Sequence, residues 1–361
     1  MSYIIPIGPY HPALEEPVHA RLITEGEEIK DAEVFIGYNH RGIEKLAQQK
    51  NFIQTLVMVE RVCGICSHSH AFSYAMALEQ ISKIPVPKRG QYIRVIIAEL
   101  ERLHSHYLWL GIALHLIGHD SLFMHCWDDR EIIMDILEEI TGNRVNYGMI
   151  CIGGSRRDID AEKRAHVLKM LHTIEQSNLR LRDILLSDKT VALRTKGVGV
   201  LTTEDSIRIG AVGPHARASN VPVDVRIDAP YSSYDDFDFN KAVYDTCDVF
   251  SRVVIRILEN IESIRIIRQA LDNLPEGKIN QGKKEIFRIP AGESMVRHEA
   301  PRGQLCYKVV TDGGETNSRV SIHVPTFKNA PTVPTMLKGN SVADAGLIIA
   351  SIDPCFSCMD R

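Results

Sequence analysis

Arg61-Val-Cys-Gly-Ile-Cys66 is the stretch that organises the chain, because it places two thiols three residues apart in an apolar, helix-patterned segment. On a helix, residues i and i+3 lie on one face, so the pattern predicts that both cysteines point the same way. A second pair with this spacing occurs in Asp353-Pro-Cys-Phe-Ser-Cys358. Four thiolates are typical ligands of zinc, of an iron-sulfur cluster, or of nickel with iron, and the spacing does not distinguish among them.

The composition is that of an ordinary globular protein. Of 361 residues, 44% are hydrophobic and 24% are charged, which is enough for a sizeable core. The formal net charge of -4, with Arg and Lys scattered along the sequence, excludes a typical nucleic-acid-binding surface. The sequence does not open like a secretory signal, and the longest apolar run, residues 107–118, is too short to span a bilayer. We therefore expect no nucleic-acid partner and no membrane-spanning segment.

The chain contains eight cysteines, and without an export signal this number indicates a reducing compartment. In such a compartment, paired thiols more often bind metal than form disulfides. The four cysteines that stand alone in the sequence are expected to be small buried hydrophobic residues: Cys126, Cys151, Cys247 and Cys306.

Apolar residues recurring every three or four positions predict long helices, and short alternating segments predict strands near both ends. The predicted helices cover residues 51–81, 89–118, 121–141, 158–186, 239–274 and 335–349. The predicted strands cover residues 18–23, 32–37, 286–290, 305–311 and 320–324. Residues 197–234 are rich in Gly, Pro, Ser and Asp, which favours a long irregular connection of functional importance.

These patterns predict a mainly α fold with small β regions, in which a bundle of long helices carries an N-terminal sheet and short C-terminal strands. We expect a single domain over residues 1–361. It would consist of an N-terminal β region (1–45), a helical core (51–275) and a C-terminal segment with the second cysteine pair (276–361).

The residues around both cysteine pairs resemble the paired motifs of the nickel-iron hydrogenase large subunit. Further stretches match this family in the same order: Arg41-Gly-Ile-Glu44, Glu299-Ala-Pro-Arg-Gly303, Val324-Pro-Thr326 and the tripeptide after Cys358. The resemblance covers nearly the whole chain, and it implies the fold shared by these large subunits and the complex I 49 kDa subunit.

A second resemblance narrows the branch of the family. Three stretches are similar to the quinone-site subunit of respiratory complex I: Gly8-Pro-Tyr-His-Pro12, Ala216-Arg-Ala-Ser219 and Ala229-Pro-Tyr-Ser-Ser-Tyr234. That subunit is related to the membrane-bound, energy-converting hydrogenases but lacks the four cysteines, which this chain keeps. The chain thus resembles the large subunit of an energy-converting hydrogenase of the Ech or CO-induced type, and the implied reaction is the reversible cleavage of dihydrogen.

The resemblance implies a ligand set for a nickel-iron centre. Cys63 and Cys355 would be terminal ligands of nickel, whereas Cys66 and Cys358 would bridge nickel to an iron that carries carbonyl and cyanide. From the cysteines alone, a structural zinc site remains the alternative.

A second metal, magnesium or iron, would lie near the C-terminus by the same resemblance, with Glu44 as a ligand. Oxygen ligands suit such a hard cation. Many members of the family have a terminal histidine at this metal where this chain has Arg361, and because arginine cannot ligate a cation, the second metal is left open.

Cleaving dihydrogen requires a Lewis-acidic metal for the hydride and a base for the proton. By resemblance, Arg302 would lie over the open metal position as the base or as a holder of substrate; a surface ion pair is the alternative. Glu15 or Glu16 would accept the proton, and the alignment favours Glu15, although adjacent acids before a proline also suit a solvated turn. His68 and His70 are expected to pack beside the centre rather than to ligate it.

The resemblance also implies partners. The sequence supplies no cluster ligands beyond the four cysteines, so an iron-sulfur small subunit would dock near residues 63–66 and 197–234. A ferredoxin-like cluster subunit and ion-translocating membrane subunits would complete a complex on the inner, cytoplasmic face of the cell membrane. Tyr10 and His11 match the complex I position that binds quinone, which keeps a non-catalytic quinone or electron-transfer subunit as an alternative.

Hydrogenase large subunits are commonly processed by a protease just past the third residue beyond the last cysteine, which here is Arg361. Because the second cysteine pair must pack against the first, Arg361 is expected to be at least partly buried.

Overall fold

The computed structural model describes residues 2–11, 16–282 and 288–361. Within these residues, eight strands form one two-stranded and two three-stranded sheets. The strands are β1 (Ser2–Ile7), β2 (His19–Glu25), β3 (Glu28–Phe35), β4 (Ile150–Cys151), β5 (Gly154–Ser155), β6 (Gly292–Ala300), β7 (Gly303–Thr311) and β8 (Asn317–His323). The helices are α1 (Ile43–Ala47), α2 (Phe52–Val59), α3 (Ser67–Ser82), α4 (Lys88–Leu116), α5 (Asp120–Thr141), α6 (Ala161–Ser187), α7 (Lys189–Thr195), α8 (Thr203–Ile209), α9 (Gly213–Arg217), α10 (Val225–Asp228), α11 (Val249–Asp272), α12 (Pro325–Asn329), α13 (Val333–Leu337), α14 (Ala345–Ser351) and α15 (Phe356–Asp360).

Helix α4 is the axis of the helical bundle. It has 29 residues, which corresponds to a length of about 43 Å. It packs against α5 and α11, and α11 also packs against α6. Apolar side chains of these four helices form the largest hydrophobic core of the described chain. The predicted mainly helical fold is therefore confirmed.

A buried charged network crosses the bundle beside this core. Glu99 on α4 accepts hydrogen bonds from Arg102 Nε (3.1 Å), Arg226 Nη1 (3.0 Å) and Tyr234 Oη (2.7 Å). All four side chains are almost completely buried. Burial opposes ionisation of the carboxyl, but the two arginines outweigh it and lower the pKa of Glu99 to about 2. The network is therefore ionised in the folded protein.

Helix α3 lies between the bundle and the antiparallel sheet β6-β7-β8. Ala300 and Gly303 pair at the end of the β6-β7 hairpin, so Pro301 and Arg302 form its two-residue turn. Helix α9 approaches this turn closely, since a Cβ added at Gly213 would lie 2.3 Å from the Gly303 Cα. Gly213 also has a φ of 68°, so glycine is required there on both counts. The hairpin turn is thereby fixed against the rest of the molecule.

The N-terminal sheet is a meander of β1, β2 and β3. Ala20 and Leu22 of β2 point inward and pack with Met336 and Ile348 of α13 and α14. This packing ties the N-terminal sheet to the helices that precede the second cysteine pair.

Two predicted helices are interrupted in the structure. The predicted helix 51–81 is divided into α2, a 3-10 turn at Glu60–Val62, and α3, with Cys63 in an extended conformation between them. The predicted helix 335–349 is divided into α13 and α14, because Gly339 adopts a φ of 80° that ends a helix. The spacing of apolar residues alone does not predict such breaks.

Two helix starts also differ from the predictions. Helix α11 begins ten residues later than predicted, at Val249, because the side chain of Asp248 caps it by accepting from Ser251 N. Helix α6 begins three residues later than predicted, at Ala161, because the side chain of Asp160 caps it by accepting from Lys163 N. Strand β6 was not predicted. Of the predicted strand 286–290, residues 286 and 287 lie outside the described residues, and residues 288–290 form no strand.

Candidate metal centre

Four cysteine side chains meet between α3, the C-terminal sheet and α15. The Sγ atoms of Cys63 and Cys355 are 3.3 Å apart, those of Cys66 and Cys358 are 3.3 Å apart, and those of Cys355 and Cys358 are 3.1 Å apart. Each cysteine is only 3–5% exposed. The structure thus brings together all four predicted ligands, although the two pairs lie 292 residues apart in the sequence.

The first pair lies in a turn, and the expectation that both cysteines share a helix face is wrong. Cys63 is extended, and its Sγ accepts from Ile65 N at 3.3 Å, which closes a tight turn around Gly64. Cys66 is the residue before α3, whose first backbone N–H groups have no partner within the helix. The buried carboxylate of Glu101 on α4 accepts from two of them, His68 N (2.7 Å) and Ser69 N (3.0 Å). This anchor explains why the helix starts after the cysteines.

The second pair is held by side chains from two distant segments. Cys355 N donates to Thr326 Oγ1 at 3.0 Å, so the Val324-Pro-Thr326 stretch positions the backbone of this cysteine. Glu16 accepts from the backbone N–H groups of Phe356 and Ser357, which are the first residues of α15. A carboxylate is favourable at the positive end of a helix.

An N-terminal segment clamps the end of the chain onto the first pair. Asp360 accepts from the backbone N–H groups of Gly37 (3.0 Å) and Asn39 (2.9 Å). The Arg41 guanidinium donates to Val62 O and Ser357 O, both at 2.7 Å, and so bridges the two cysteine-bearing segments. Arg41 of the Arg41-Gly-Ile-Glu44 motif therefore contacts both segments that carry the cysteines.

The close packing of the four thiols determines their ionisation. Hydrogen bonds from Cys355, then Cys358 and Cys66, lower the pKa of Cys63 well below its ordinary value. Burial raises the pKa of Cys358 well above the ordinary value. One thiolate is therefore stabilised by the protons of its neighbours, and a cation would replace these protons, because a coordinating thiol is deprotonated. Buried, soft sulfur donors of this kind fit a thiolate-bound metal centre.

Arg302 extends from the hairpin turn towards the cysteines. Its Nε donates to Asp353 O (3.0 Å), its Nη2 pairs with Asp353 Oδ1 (2.9 Å), and its Nη1 donates to Ser105 Oγ (3.3 Å). Burial opposes the charge, but Asp353 and the thiols hold the pKa of Arg302 well above its usual value. Arg302, Cys66, Cys355 and Cys358 are among the residues around a cavity of about 10 Å³, which is about the room that one water molecule needs. The guanidinium is thus fixed, charged and buried rather than part of a surface ion pair.

The two histidines after Cys66 occupy different surroundings. His70 Nε2 is 3.4 Å from Cys358 Sγ, and its Nδ1 is 2.6 Å from Tyr307 Oη. Burial lowers the pKa of His70 to about 4, so the ring is neutral near pH 7. His68 Nε2 lies 3.0 Å from Arg94 O, away from the sulfur atoms.

Comparisons with known proteins agree with this geometry. The family described as nickel-dependent hydrogenase matches residues 41–119, and the family of the respiratory-chain NADH dehydrogenase 49 kDa subunit matches residues 117–287 and 282–361. The chain is 41% identical to the carbon monoxide-induced hydrogenase of Rhodospirillum rubrum, with 100% of this chain and 99% of the relative covered. It is 40% identical to the membrane-bound hydrogenase subunit alpha of Pyrococcus furiosus, with 99% and 87% covered.

The chain belongs to the nickel-iron hydrogenase large-subunit family. A solved structure of the membrane-bound sulfane sulfur reductase, an archaeal respiratory membrane complex, contains a chain of the same fold, with a TM-score of 0.94 and 29% identity over 100% of this chain and 98% of that one. Within residues 2–11, 16–282 and 288–361 of this hydrogenase-family chain, no helix has both the length and the apolar character needed to cross a lipid bilayer.

Other predicted site residues of this hydrogenase-family chain have different outcomes. Glu15, the predicted proton acceptor, lies outside the described residues, whereas Glu16 contacts Phe356 and Ser357 between the cysteines of the second pair. Tyr10 is 85% exposed and His11 is also exposed, so neither side chain is enclosed by the residues that the structure describes. Arg361 is partly buried, as expected.

Glu44 is already engaged by basic groups. Its Oε1 accepts from Ile322 N (2.8 Å) and Arg361 Nε (2.9 Å), and its Oε2 accepts from Arg319 Nη2 (3.2 Å). Both carboxylate oxygens are therefore occupied by donors, and these residues do not fit a second metal cation.

Several residues at the centre were missed by sequence reasoning. Glu101, Ser105 and Tyr307 lie in no motif, and each meets the site only through tertiary packing. Thr326 and Asp353 lie within quoted motifs, so their position beside the cysteines could have been inferred.

Proposed function

We propose that this chain is the catalytic large subunit of an energy-converting nickel-iron hydrogenase and that it carries out the reversible heterolytic cleavage of dihydrogen. The observation that carries the proposal is the meeting of both Cys-x-x-Cys pairs in a buried site under a fixed arginine. A site that only stabilised the fold would not need an enclosed cavity beside a guanidinium.

The four cysteines would hold the centre, with Cys63 and Cys355 on nickel alone and Cys66 and Cys358 shared with an iron that carries carbonyl and cyanide. Such a centre supplies the Lewis acidity and the electron exchange that cleavage of dihydrogen requires. The neutral His70 ring supports Cys358 by its contact with the sulfur, and its other nitrogen is oriented by Tyr307.

Arg302 would position dihydrogen in the cavity and stabilise charge that develops there. The guanidinium cannot rotate freely because Asp353 and Ser105 hold three of its nitrogens. Fixed donors in a water-excluded site act without reorganisation during the reaction.

We assign the first proton exit to Glu16. Its carboxylate contacts the backbone N–H groups next to Cys355 and the Ser357 hydroxyl, and the residue is only half buried. A carboxylate that contacts the residues between Cys355 and Cys358 and is also partly exposed is suited to pass protons outward.

Electrons would leave through an iron-sulfur small subunit and a ferredoxin-like cluster subunit. Support comes from the surface beside the first pair, where Ile53 and Val57 are 40% and 45% exposed and contribute to a cavity of about 570 Å³. Exposed apolar side chains of this kind are typical of a protein interface. We further propose membrane subunits that translocate ions, which would keep this chain at the inner, cytoplasmic face of the cell membrane.

The alternatives are a quinone-binding subunit and a structural zinc site. Metal analysis of the purified complex tests both, and we expect one nickel, with iron, per chain. Deuterium-water exchange by the same sample tests the reaction. Stoichiometric zinc in place of nickel, or nickel without any exchange activity, would refute the proposed function.

A further inference from the structure

The Glu44 cluster, defined here as Glu44, Arg319, Arg361 and the backbone N–H of Ile322, joins three parts of the chain. Glu44 lies on α1, Arg319 and Ile322 lie on β8, and Arg361 follows α15. Arg361 also donates from Nη1 to Met359 O at 2.7 Å, and its guanidinium lies 5.9 Å from the centre of the Phe327 ring. The Glu44 side chain thus connects α1 to β8 and, through Arg361, to the turn after Cys358.

Three of the roughly four acceptor positions of the Glu44 carboxylate are already used, which leaves little capacity for a hard cation. Magnesium takes about six oxygen ligands at about 2.1 Å. Here Oε1 already accepts two hydrogen bonds and Oε2 accepts one, all at 2.8–3.2 Å. Two guanidinium groups around the carboxylate would also repel a divalent cation.

The cavity beside the cluster offers no further unengaged acidic side chain among the described residues. A cavity of about 390 Å³ adjoins the cluster, and Asp360 is its other acidic lining residue. Asp360 is committed to Gly37 N and Asn39 N. Lys45 lines the same cavity and adds positive charge. The charged side chains that line this cavity are therefore two acidic and three basic.

We infer that in this chain the Arg361 guanidinium replaces the second metal and does its structural work. Its charge neutralises Glu44 and its two donating nitrogens fasten the turn that carries Cys358. A permanently charged, planar group can hold a carboxylate and a carbonyl together, as a cation would, but without depending on the supply of a metal ion. The inference rests on the proposed function for its context, since that function defines the centre that the turn supports.

The test is metal content and thermal stability of the purified complex, with and without EDTA and with millimolar magnesium chloride. For the wild type, we expect no stoichiometric magnesium and no iron beyond that of the cysteine centre and of the iron-sulfur partner subunits, and the melting temperature should not respond to EDTA or magnesium. One equivalent of magnesium or of additional iron per chain, lost in Glu44→Gln, would overturn the inference.

The variant Arg361→His removes the guanidinium and offers an imidazole beside Glu44. We expect a lower melting temperature, partial loss of metal from the cysteine centre, and a rise in melting temperature on adding magnesium. Lys45→Gln, which removes a charge from the same cavity but no bond to Glu44, should behave like the wild type. An Arg361→His protein with wild-type stability and metal content would contradict the inference.

The two proposals fail separately. Absence of nickel from the wild type would refute the proposed hydrogenase activity, whereas the magnesium content and the EDTA response decide the role of Arg361 whether or not nickel is bound.

Discussion

Replacing Arg302 by lysine tests whether the geometry of the guanidinium, rather than its charge alone, is needed. Lysine keeps the positive charge but offers a single ammonium in place of a planar fork. In the structure, the fork makes two contacts to Asp353 and one to Ser105. At most part of this set can be made by an ammonium, so Asp353 would be left with an unpaired buried oxygen.

The expected loss of turnover in Arg302→Lys can be worked out from these contacts. Loss of one charge-assisted hydrogen bond together with a buried unsatisfied acceptor costs about 3–4 kcal/mol, which corresponds to roughly 100- to 1000-fold in rate if it falls on the transition state. We therefore expect Arg302→Lys to retain nickel and iron but to lose turnover by that factor. Ser105→Ala removes only the 3.3 Å contact and should cost about fivefold or less.

The assay is deuterium-water exchange and dye-coupled oxidation of dihydrogen by the intact complex, with metal content measured on the same sample. If nickel and iron are retained, the loss of turnover is due to the position of the side chain and not to loss of the metal centre. Wild-type turnover in Arg302→Lys with both metals bound would show that Arg302 only forms a structural ion pair, and the reasoning above would be wrong.

Three further substitutions probe the ligands, the proton path and the buried network. Cys66→Ser should abolish activity and metal retention because a soft ligand is lost, whereas Cys306→Ser, which changes a buried thiol outside the centre, should leave metal content unchanged. Glu16→Gln should abolish deuterium-water exchange but preserve para-ortho conversion of dihydrogen, with Glu15→Gln as control; the opposite result in the two variants would move the proton exit to Glu15. Glu99→Gln should destabilise the protein by about 3–5 kcal/mol at pH 7, because it leaves two buried arginines without their carboxylate. Since the pKa of Glu99 is lowered to about 2 in the fold, the stability it contributes should be lost as pH falls from about 4.5 towards 2, and the denaturation midpoints of wild type and variant should converge there.

Much of the fold could be predicted because the helices of the bundle follow the apolar period closely. Helices α4 and α5 lie where periodicity places them, and α5 ends at the predicted residue, before Gly142. The errors arise where tertiary contacts outweigh the local pattern. At residues 60–66 the apolar spacing continues, but Glu101 on another helix takes the N–H groups that start α3.

The residues of the candidate site also fall into two groups, those that the local sequence identifies and those that depend on tertiary contacts. The cysteines and Arg302 could be identified because their neighbours in sequence carry the motif. Glu44 could be identified from the Arg41-Gly-Ile-Glu44 motif, but its hydrogen-bond partners could not be predicted. The bond from Arg319 depends on the register of β8 beside α1. Tyr307 and Ser105 could not be found, because their roles depend only on which side chains face them in the folded protein.

The Arg41 bridge between Val62 O and Ser357 O can be completed only at the end of synthesis. Its two acceptors flank cysteine pairs that are 292 residues apart. At a synthesis rate of about 5–20 residues per second, the first pair emerges from the ribosome roughly 15–60 s before the second. Throughout that interval Arg41 can reach Val62 but not Ser357, so the pocket for the centre is half built and open on the side that the last helix later covers. A factor that delivers metal to the nascent or newly released chain would therefore meet Cys63 and Cys66 first, and the arrival of α15 would be the event that shuts the metal in.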